Sequence, residues 1–228
     1  MKIPNRPICL SVIGKLAIVC ILFLVPCHFV DAEEEMETIK LPKPKLKSDV
    51  SLEELIEKRR SVRSFSSKEL TIEQISQLLW AAQGITDRRG FRAAPSAGAL
   101  YPLEIYIVNR NGLYHYLPEG HILERKSDKD LRSDLARAAL GQHFVEAAPF
   151  DMIICTVYER VTLRYGQRGI RYTDIEVGHA AQNVHLQAVR LGLDSVPVGA
   201  FRDDAVSKVL SLPRNEKPIY IIPIGYKK

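Results

Sequence analysis

Cysteine is scarce in this chain of 228 residues, and it is unevenly distributed. Three of the four cysteines, Cys9, Cys20 and Cys27, lie near the N-terminus, and only Cys155 lies beyond them. If the N-terminal segment is removed, the remaining chain cannot form an internal disulfide. Cys155 belongs to the apolar run 150–157, where a lone thiol is expected to be a small buried side chain rather than a nucleophile.

The common nucleotide-phosphate motifs are also absent. There is no G-x-G-x-x-G after a predicted strand and no G-x-x-x-x-G-K-[ST], which argues against a Rossmann dinucleotide site and a P-loop ATPase. The net charge of +5 is not concentrated in a dense basic stripe, so nucleic-acid binding is not predicted. His179 and His185 do not share a helix face at a spacing of six, and no metal site is predicted.

A long hydrophobic run is missing, although the N-terminus is apolar. Three basic residues precede the apolar run 16–25, and Val30-Asp31-Ala32 offers a small-residue cleavage site. This order predicts a secretory signal peptide over residues 1–32. The run is shorter than the roughly 20 residues of a membrane span. The alternative is an uncleaved anchor that inserts residues 8–30. Either way, we expect an exported protein, periplasmic or extracellular, and the anchor would hold it at the membrane.

The remainder divides into a linker and one domain. Residues 33–48 are charged, with Pro42 and Pro44 among lysines, which is typical of an extended linker. Residues 49–228 mix helical and strand patterns with a hairpin signal at Asn111-Gly112, which favours an α+β fold. Helices are predicted from Ser51 and from Thr71, and over 129–140, 172–191 and 203–210; strands are predicted over 103–108, 113–117, 150–157, 195–200 and 218–224.

Two short segments suggest ligand chemistry. Arg59-Arg60-Ser61-Val62-Arg63 puts three guanidiniums and a hydroxyl at a helix end, where they could hold a phosphate by charge-assisted hydrogen bonds. Taken alone, the same segment also suits a solvated helix end, since cations interact favourably with the carbonyl dipole. Residues 95–104 contain Ser96-Ala97-Gly98, a loop whose backbone is bare enough for a flat ligand to lie against it.

The stretch from about Leu52 to Gly225 resembles the nitroreductase family of FMN-dependent oxidoreductases. Within that family it is most similar to the SagB/azoline-oxidase-type dehydrogenase branch. The resemblance lies in six segments that occur in family order: 59–63, 95–104, 165–172, 178–183, 191–201 and 222–225.

This resemblance implies bound FMN, a central and mostly antiparallel sheet surrounded by helices, and a homodimer with its site at the subunit interface. Backbone N–H groups of the segment along the flavin ring would reach N5, the atom that exchanges hydride. The implied flavin contacts are Arg59, Arg60, Ser61 and Arg63 at the phosphate and ribityl chain, Pro95, Ser96 and Ala97 from the other subunit, Pro197, Val198 and Gly199 along the ring, and Lys227 at the phosphate or the pyrimidine edge.

Two differences from the usual sequences of this family bear on the reaction. Residues 98–102 read Gly-Ala-Leu-Tyr-Pro where typical nitroreductases have an asparagine-containing loop ending Gln-Pro-Trp, which favours the SagB-like branch. In peptide azoline oxidases a Lys-Tyr pair is thought to deprotonate the substrate, and the corresponding pair here is Arg164-Tyr165. Arginine is a poor general base. Either Tyr165 acts alone as the catalytic residue, or the protein performs another two-electron reaction.

The expected function is therefore FMN-dependent hydride transfer on a small molecule or a modified peptide. The alternative is a catalytically idle partner protein of the same fold that binds a flavin or a peptide.

Overall fold

A seven-stranded sheet lies at the centre of the computed structural model, which describes residues 37–228. The strands are β1 (Thr38–Lys40), β2 (Leu103–Asn109), β3 (Gly112–Leu117), β4 (Ile122–Ser127), β5 (Phe150–Thr156), β6 (Asp194–Ser195) and β7 (Lys217–Gly225). Their order across the sheet is β1-β4-β3-β2-β5-β7-β6, and every pair of neighbouring strands is antiparallel.

Helices cover both faces of this sheet. They are α1 (Leu52–Lys58), α2 (Ile72–Gln83), α3 (Arg132–Ala138), α4 (His143–Ala147), α5 (Glu159–Tyr165), α6 (Arg168–Arg190) and α7 (Asp203–Val209). None of the helices in residues 37–228 has the length and apolarity that crossing a membrane requires.

Two hydrophobic cores lie on opposite faces of the sheet, because alternate residues of β5 point in opposite directions. Met152 and Ile154 share a buried cluster with α2 and α6, whereas Ile153 and Cys155 share one with α3 and α7. Cys155 is fully buried, and burial raises the pKa of its thiol, so the prediction of a buried thiol is confirmed. The predicted α+β architecture with a central antiparallel sheet is also confirmed.

Capping explains where α2 begins. The Thr71 hydroxyl accepts from the Gln74 N–H at 3.3 Å, and the Gln74 side-chain oxygen accepts from the Thr71 N–H at 2.9 Å. This is the reciprocal capping box that the sequence predicts. The neighbouring α6 ends at Arg190, just before Gly192, whose φ of +68° suits glycine. The Asn183 amide of α6 donates to the Ala81 carbonyl of α2 at 3.2 Å, so the two helices are fixed side by side.

Four elements were not predicted: β1, which lies in the predicted linker, β4, α4 and α5. Strand β4 carries charged residues without clean alternation, and its pairing with β3 and β1 makes it a strand. Helix α4 has only five residues, which is too short for a helical period to emerge, and α5 has apolar side chains at the alternate positions Val161 and Leu163, which is not a helical period. The predicted strand 195–200 is shorter than expected: β6 ends at Ser195, after which the Val196 N–H donates to the Pro223 carbonyl at 3.2 Å and Val198 forms a bridge with Ile221.

The described part of the predicted linker is extended but packed. Strand β1 pairs with β4 at the edge of the sheet, and Leu41 is only 4% exposed. The Lys45 N–H donates to the Gln77 side chain at 2.8 Å, which holds the segment against α2. A buried leucine among the lysines is what distinguishes this segment from a solvated linker. The signal peptide or anchor predicted over 1–32, like residues 33–36 of the linker, lies outside the described residues.

Candidate functional site

The arginine-rich segment lies between β6 and the C-terminus. It follows α1 directly, as predicted, because Arg59 caps that helix with an extended ψ of 123°. The Val62 N–H donates to the Ser195 carbonyl at 3.1 Å. Further along, Phe65 forms an antiparallel bridge with Lys227. The fold therefore brings together three segments that are far apart in the sequence: 59–65, 195–199 and the chain end.

Four cations of this region form what we call the cationic group: Arg59, Arg60, Arg63 and Lys227. None of them has a carboxylate partner within residues 37–228. The Arg60 guanidinium donates only to main-chain carbonyls, at 2.7 and 2.8 Å. The Arg63 guanidinium lies 5.8 Å from the ring centre of Phe144. Unpaired guanidiniums beside the exposed Ser61 hydroxyl suit a doubly charged phosphate.

Residues 197–199 leave one main-chain N–H group, that of Gly199, available to a ligand. The Val198 N–H donates to the Ile221 carbonyl at 2.8 Å, and the reverse bond measures 3.0 Å. Pro197 has no N–H. Gly199 is exposed, and its N–H has no partner among the described residues. The predicted role of this segment as a donor to a flavin ring therefore rests on Gly199.

The loop at Pro95–Ala97 belongs to a different part of the fold. The Ser96 hydroxyl accepts from the Tyr101 N–H at 2.9 Å and so closes the turn. Gly98 has a φ of +64°, and a Cβ there would lie 2.8 Å from the Tyr165 hydroxyl. A side chain at this position would be strained, because the backbone has a positive φ and the Tyr165 hydroxyl would have to move.

Tyr165 ends helix α5 and faces aromatic and cationic neighbours. Its ring lies edge to face with Tyr172, with 5.4 Å between ring centres. The Arg164 guanidinium lies 5.4 Å from the centre of the same ring. The Tyr165 hydroxyl makes no hydrogen bond within the described part of the chain. The structure thus gives Tyr165 no general base to work with, and its catalytic role stays a prediction.

Two separate groups result from this placement. Arg59–Arg63 lies against Ser195 and, through Phe65, beside Lys227, and Pro197–Gly199 follows Ser195 along β7 towards Ile221. Pro95, Ser96 and Ala97 belong to a loop that approaches Tyr165 elsewhere. Within residues 37–228, no hydrogen bond or ion pair joins the first group to the second. The flavin-binding roles of both groups stay predictions.

Sequence reasoning missed a buried histidine behind the cationic group. His185 of α6 is 3% exposed, and its Nδ1 lies 2.7 Å from the Ser195 hydroxyl. Its Nε2 has no partner among the described residues. Burial, with a smaller effect from Arg59, lowers the pKa of His185 to about 4, so the ring is neutral at physiological pH. The helical pattern alone could not distinguish this residue from a core position.

Sequence reasoning also missed Glu176 of α6. Seven residues line a cavity of about 270 Å³, which we call the loop pocket: Pro95, Ser96, Ala97, Tyr172, Ile175, Glu176 and His179. Glu176 is 2% exposed, and neither of its carboxylate oxygens has a hydrogen-bond partner in the described part of the chain. Burial raises the pKa of this carboxyl to about 7, although Ser96, Arg92 and Gln83 oppose the shift.

Comparison with known proteins gives related sequences and folds. The chain is 45% identical over 197 residues to the nitroreductase-like protein MJ1384 of Methanocaldococcus jannaschii, covering 84% of this chain and 98% of that protein. It also matches the crystal structure of a nitroreductase-like protein from Ralstonia eutropha JMP134 with a TM-score of 0.77 and 32% identity. That match covers 84% of this chain and 90% of the other.

More distant relatives have names that state a role. McbC of Escherichia coli, named a microcin B17-processing protein, is 29% identical over 155 residues, which cover 63% of this chain and 57% of McbC. The FMN reductase [NAD(P)H] of Bacillus subtilis is 22% identical over 181 residues, which cover 73% of this chain and 62% of that protein. The chain therefore spans less than two thirds of both proteins.

Residues 56–226 match the model of the nitroreductase family, from the end of α1 to the residue after β7. This match includes both groups of predicted site residues except Lys227. With the fold and the relatives described above, it establishes that the chain belongs to the nitroreductase family.

Proposed function

We propose that this protein is an FMN-dependent oxidoreductase that transfers hydride to or from a small molecule or a modified peptide, and that it acts as a homodimer. The observation that carries the proposal is the cationic group. Four unpaired cations beside a hydroxyl and one available main-chain N–H are costly to gather unless an anion binds there. Membership of a family of flavin-linked oxidoreductases supports FMN as that anion.

The residues present fit FMN. Arg59, Ser61 and Arg63 would hold its phosphate, with Arg60 beside them. The Gly199 N–H would face the ring. A bound flavin supplies the two-electron chemistry, because its N5 accepts and delivers hydride. The protein's part is to bind and to set the local charge: Lys227 and the arginines add positive charge that favours an anionic, reduced ring.

Surface composition supports the homodimer. Leu52 and Ile56 of α1 are 57% and 55% exposed. Beside them, a groove of about 390 Å³ is lined by Leu55, Trp80 and Leu186, among others. A second copy would bury this apolar surface. The family resemblance implies that the second copy would also supply its Pro95–Ala97 loop to the cationic group. Analytical ultracentrifugation should give a dimer at micromolar concentration, and a monomer would contradict this part of the proposal.

The resemblance to McbC supports a modified peptide as one substrate class, but Arg164 supports a second candidate function. With arginine where the azoline oxidases have lysine, the chain is also suited to be an idle partner that binds a flavin or a peptide. Turnover distinguishes the two candidates. An enzyme re-oxidises repeatedly with an added acceptor, whereas an idle partner does not.

The proposal that the protein is exported follows from residues 1–32 alone. If the leader exports the protein, nicotinamide donors are scarce around it, and we propose a quinone-type or substrate-derived source of electrons. Fractionation of a C-terminally tagged protein tests this. Recovery wholly in the cytoplasm with the leader intact would contradict export.

Absorbance spectroscopy of the purified protein tests the proposed function. The protein should be yellow, should bleach with dithionite and should recover its flavin spectrum with an oxidant. A colourless preparation that FMN does not reconstitute would contradict FMN dependence.

A further inference from the structure

The arginine-rich segment, residues 59–63, meets the sheet at Ser195 of β6. The Val62 N–H donates to the Ser195 carbonyl at 3.1 Å, and Ser61 forms a parallel bridge with the same residue. Strand β6 has only two residues, so few ladder hydrogen bonds hold it in place. The position of the arginines therefore depends on what fixes Ser195.

Ser195 is fixed by two other elements. Its main chain pairs with Ile224 of β7. Its hydroxyl lies 2.7 Å from Nδ1 of His185, which belongs to α6. Both Ser195 and His185 are buried, so water does not compete for this hydrogen bond. Ser195 therefore links the arginine-rich segment, through its carbonyl, to a long helix, through its hydroxyl.

Packing alone does not account for a histidine at this position of α6. Within residues 37–228, the His185 ring bonds to Ser195 through Nδ1, and its Nε2 has no partner. Burying an imidazole with one nitrogen unpartnered costs free energy that an apolar side chain of similar size would not cost. A role in holding Ser195 explains why the histidine is there in spite of this cost.

The His185 ring is neutral and within electrostatic reach of the cationic group. Burial lowers the pKa of His185 to about 4, and the charge of Arg59 contributes to the shift. A neutral ring adds no positive charge beside the arginines. Because a hydroxyl both donates and accepts, either tautomer of the neutral ring can bond to Ser195. The contact between His185 and Ser195 therefore persists throughout the neutral pH range.

We propose that His185 is a positioning residue of the phosphate site: through Ser195 it holds the arginine-rich segment in the arrangement that a phosphate requires. This inference rests on the proposed function, in which the cationic group binds the FMN phosphate. Its consequence is selectivity, because His185 then determines how strongly the protein prefers FMN to riboflavin, which lacks the phosphate. His185 is buried and acts without contacting the phosphate itself.

Riboflavin separates positioning from stability. Charge-assisted hydrogen bonds to a phosphate depend on both distance and direction, so a small shift of residues 61–63 weakens them. Riboflavin makes none of these bonds, and its affinity depends on the rest of the site. A defect in positioning should therefore lower the affinity for FMN and leave the affinity for riboflavin unchanged, whereas a general loss of stability should lower both.

Two substitutions of His185 differ in the ring nitrogen that they imitate. The amide of His185→Asn takes the place of Nδ1 and can still bond to Ser195, whereas the amide of His185→Gln takes the place of Nε2, which has no partner in the described part of the chain. Ser195→Ala removes the hydroxyl itself. In fluorescence titrations of the apoprotein, His185→Gln and Ser195→Ala should each reduce the preference for FMN over riboflavin roughly 10-fold, and His185→Asn should retain it.

Val184→Ala is the matched control. Val184 precedes His185 in α6 and is fully buried, but its side chain belongs to the hydrophobic cluster that α6 shares with α2. Alanine at this position should lower the free energy of unfolding and leave the preference for FMN unchanged.

Amide hydrogen exchange of the apoprotein is a second measurement, and it needs no flavin. The Val62 amide, which bonds to the Ser195 carbonyl, should exchange about 10-fold faster in His185→Gln and at the wild-type rate in His185→Asn. Wild-type exchange in His185→Gln would overturn the proposal.

Three results of the titrations would also overturn it: an unchanged FMN preference in His185→Gln or Ser195→Ala, equal weakening of both flavins, or a loss in His185→Asn as large as in His185→Gln. A wild-type protein with no preference for FMN over riboflavin would instead overturn the proposed phosphate site.

Discussion

The cationic group and the loop pocket differ in almost every physical respect. The cationic group consists of polar side chains near the surface, held by main-chain pairing of residues 59–65 with β6 and the chain end. The loop pocket is built around one carboxyl that is 2% exposed. Charge at a surface selects a charged ligand part, whereas a buried acid controls a proton.

The largest expected effect is on the cationic group. Arg63→Ala removes a guanidinium that we assign to the FMN phosphate, and a hydrogen bond to a charged group contributes about 1.5–3 kcal/mol. FMN affinity should fall by roughly 10- to 100-fold. Flavin extraction and fluorescence of the purified variant measure this loss. Arg88→Ala, in an exposed loop, is the matched control and should retain its flavin. A full flavin content in Arg63→Ala would refute the phosphate assignment.

The next effect concerns Gly98, in the loop beside the loop pocket. Gly98→Ala places a methyl group where φ is +64° and where the Tyr165 hydroxyl would be 2.8 Å away. We expect a loss of about 1–2 kcal/mol in the free energy of unfolding, measured by urea denaturation.

Gly178→Ala provides the comparison for this variant. Gly178 is in α6, and a Cβ added there would meet no neighbouring group within 4 Å, so alanine should be neutral or stabilising at this position. If both substitutions have the same effect, Tyr165 does not approach Gly98 closely.

The third effect is a pH dependence of stability. Between about pH 4.5 and about 7, native Glu176 keeps a proton that the unfolded chain has lost, so the free energy of unfolding falls as the pH rises. Glutamine cannot ionise, and Glu176→Gln should therefore gain stability relative to the wild type by up to about 3 kcal/mol at pH 8. Urea denaturation at pH 5 and pH 8 tests this. A difference that is the same at both pH values would contradict a buried, protonated carboxyl.

The cationic group and the loop pocket also differ in how far the sequence predicts them. Thr71 and Asn111 act through neighbours in the chain, and the helix cap and the hairpin were predicted correctly. The turn lies one position earlier than predicted, at Arg110 and Asn111, because Asn109 pairs with Gly112. Arg59–Arg63 is a continuous segment, so it could be singled out, and its position after α1 was also correct. These are local signals that need no knowledge of the tertiary fold.

Glu176 could not be predicted in this way, because its properties come from tertiary packing. Gln83, Arg92 and Ser96 approach it from other elements, and no spacing within α6 indicates this. His185 has the same origin, through its contact with Ser195. The packing of Leu41 likewise depends on a distant partner, His121, whose carbonyl accepts its N–H at 3.0 Å.

The central claim is that the cationic group binds a flavin through its phosphate, and riboflavin offers the most direct test because it is FMN without that phosphate. Apoprotein titrated with each ligand, followed by flavin fluorescence, should bind FMN at least 100-fold more tightly than riboflavin. In Arg63→Ala most of that preference should disappear. Equal affinities for FMN and riboflavin in the wild type would contradict the claim.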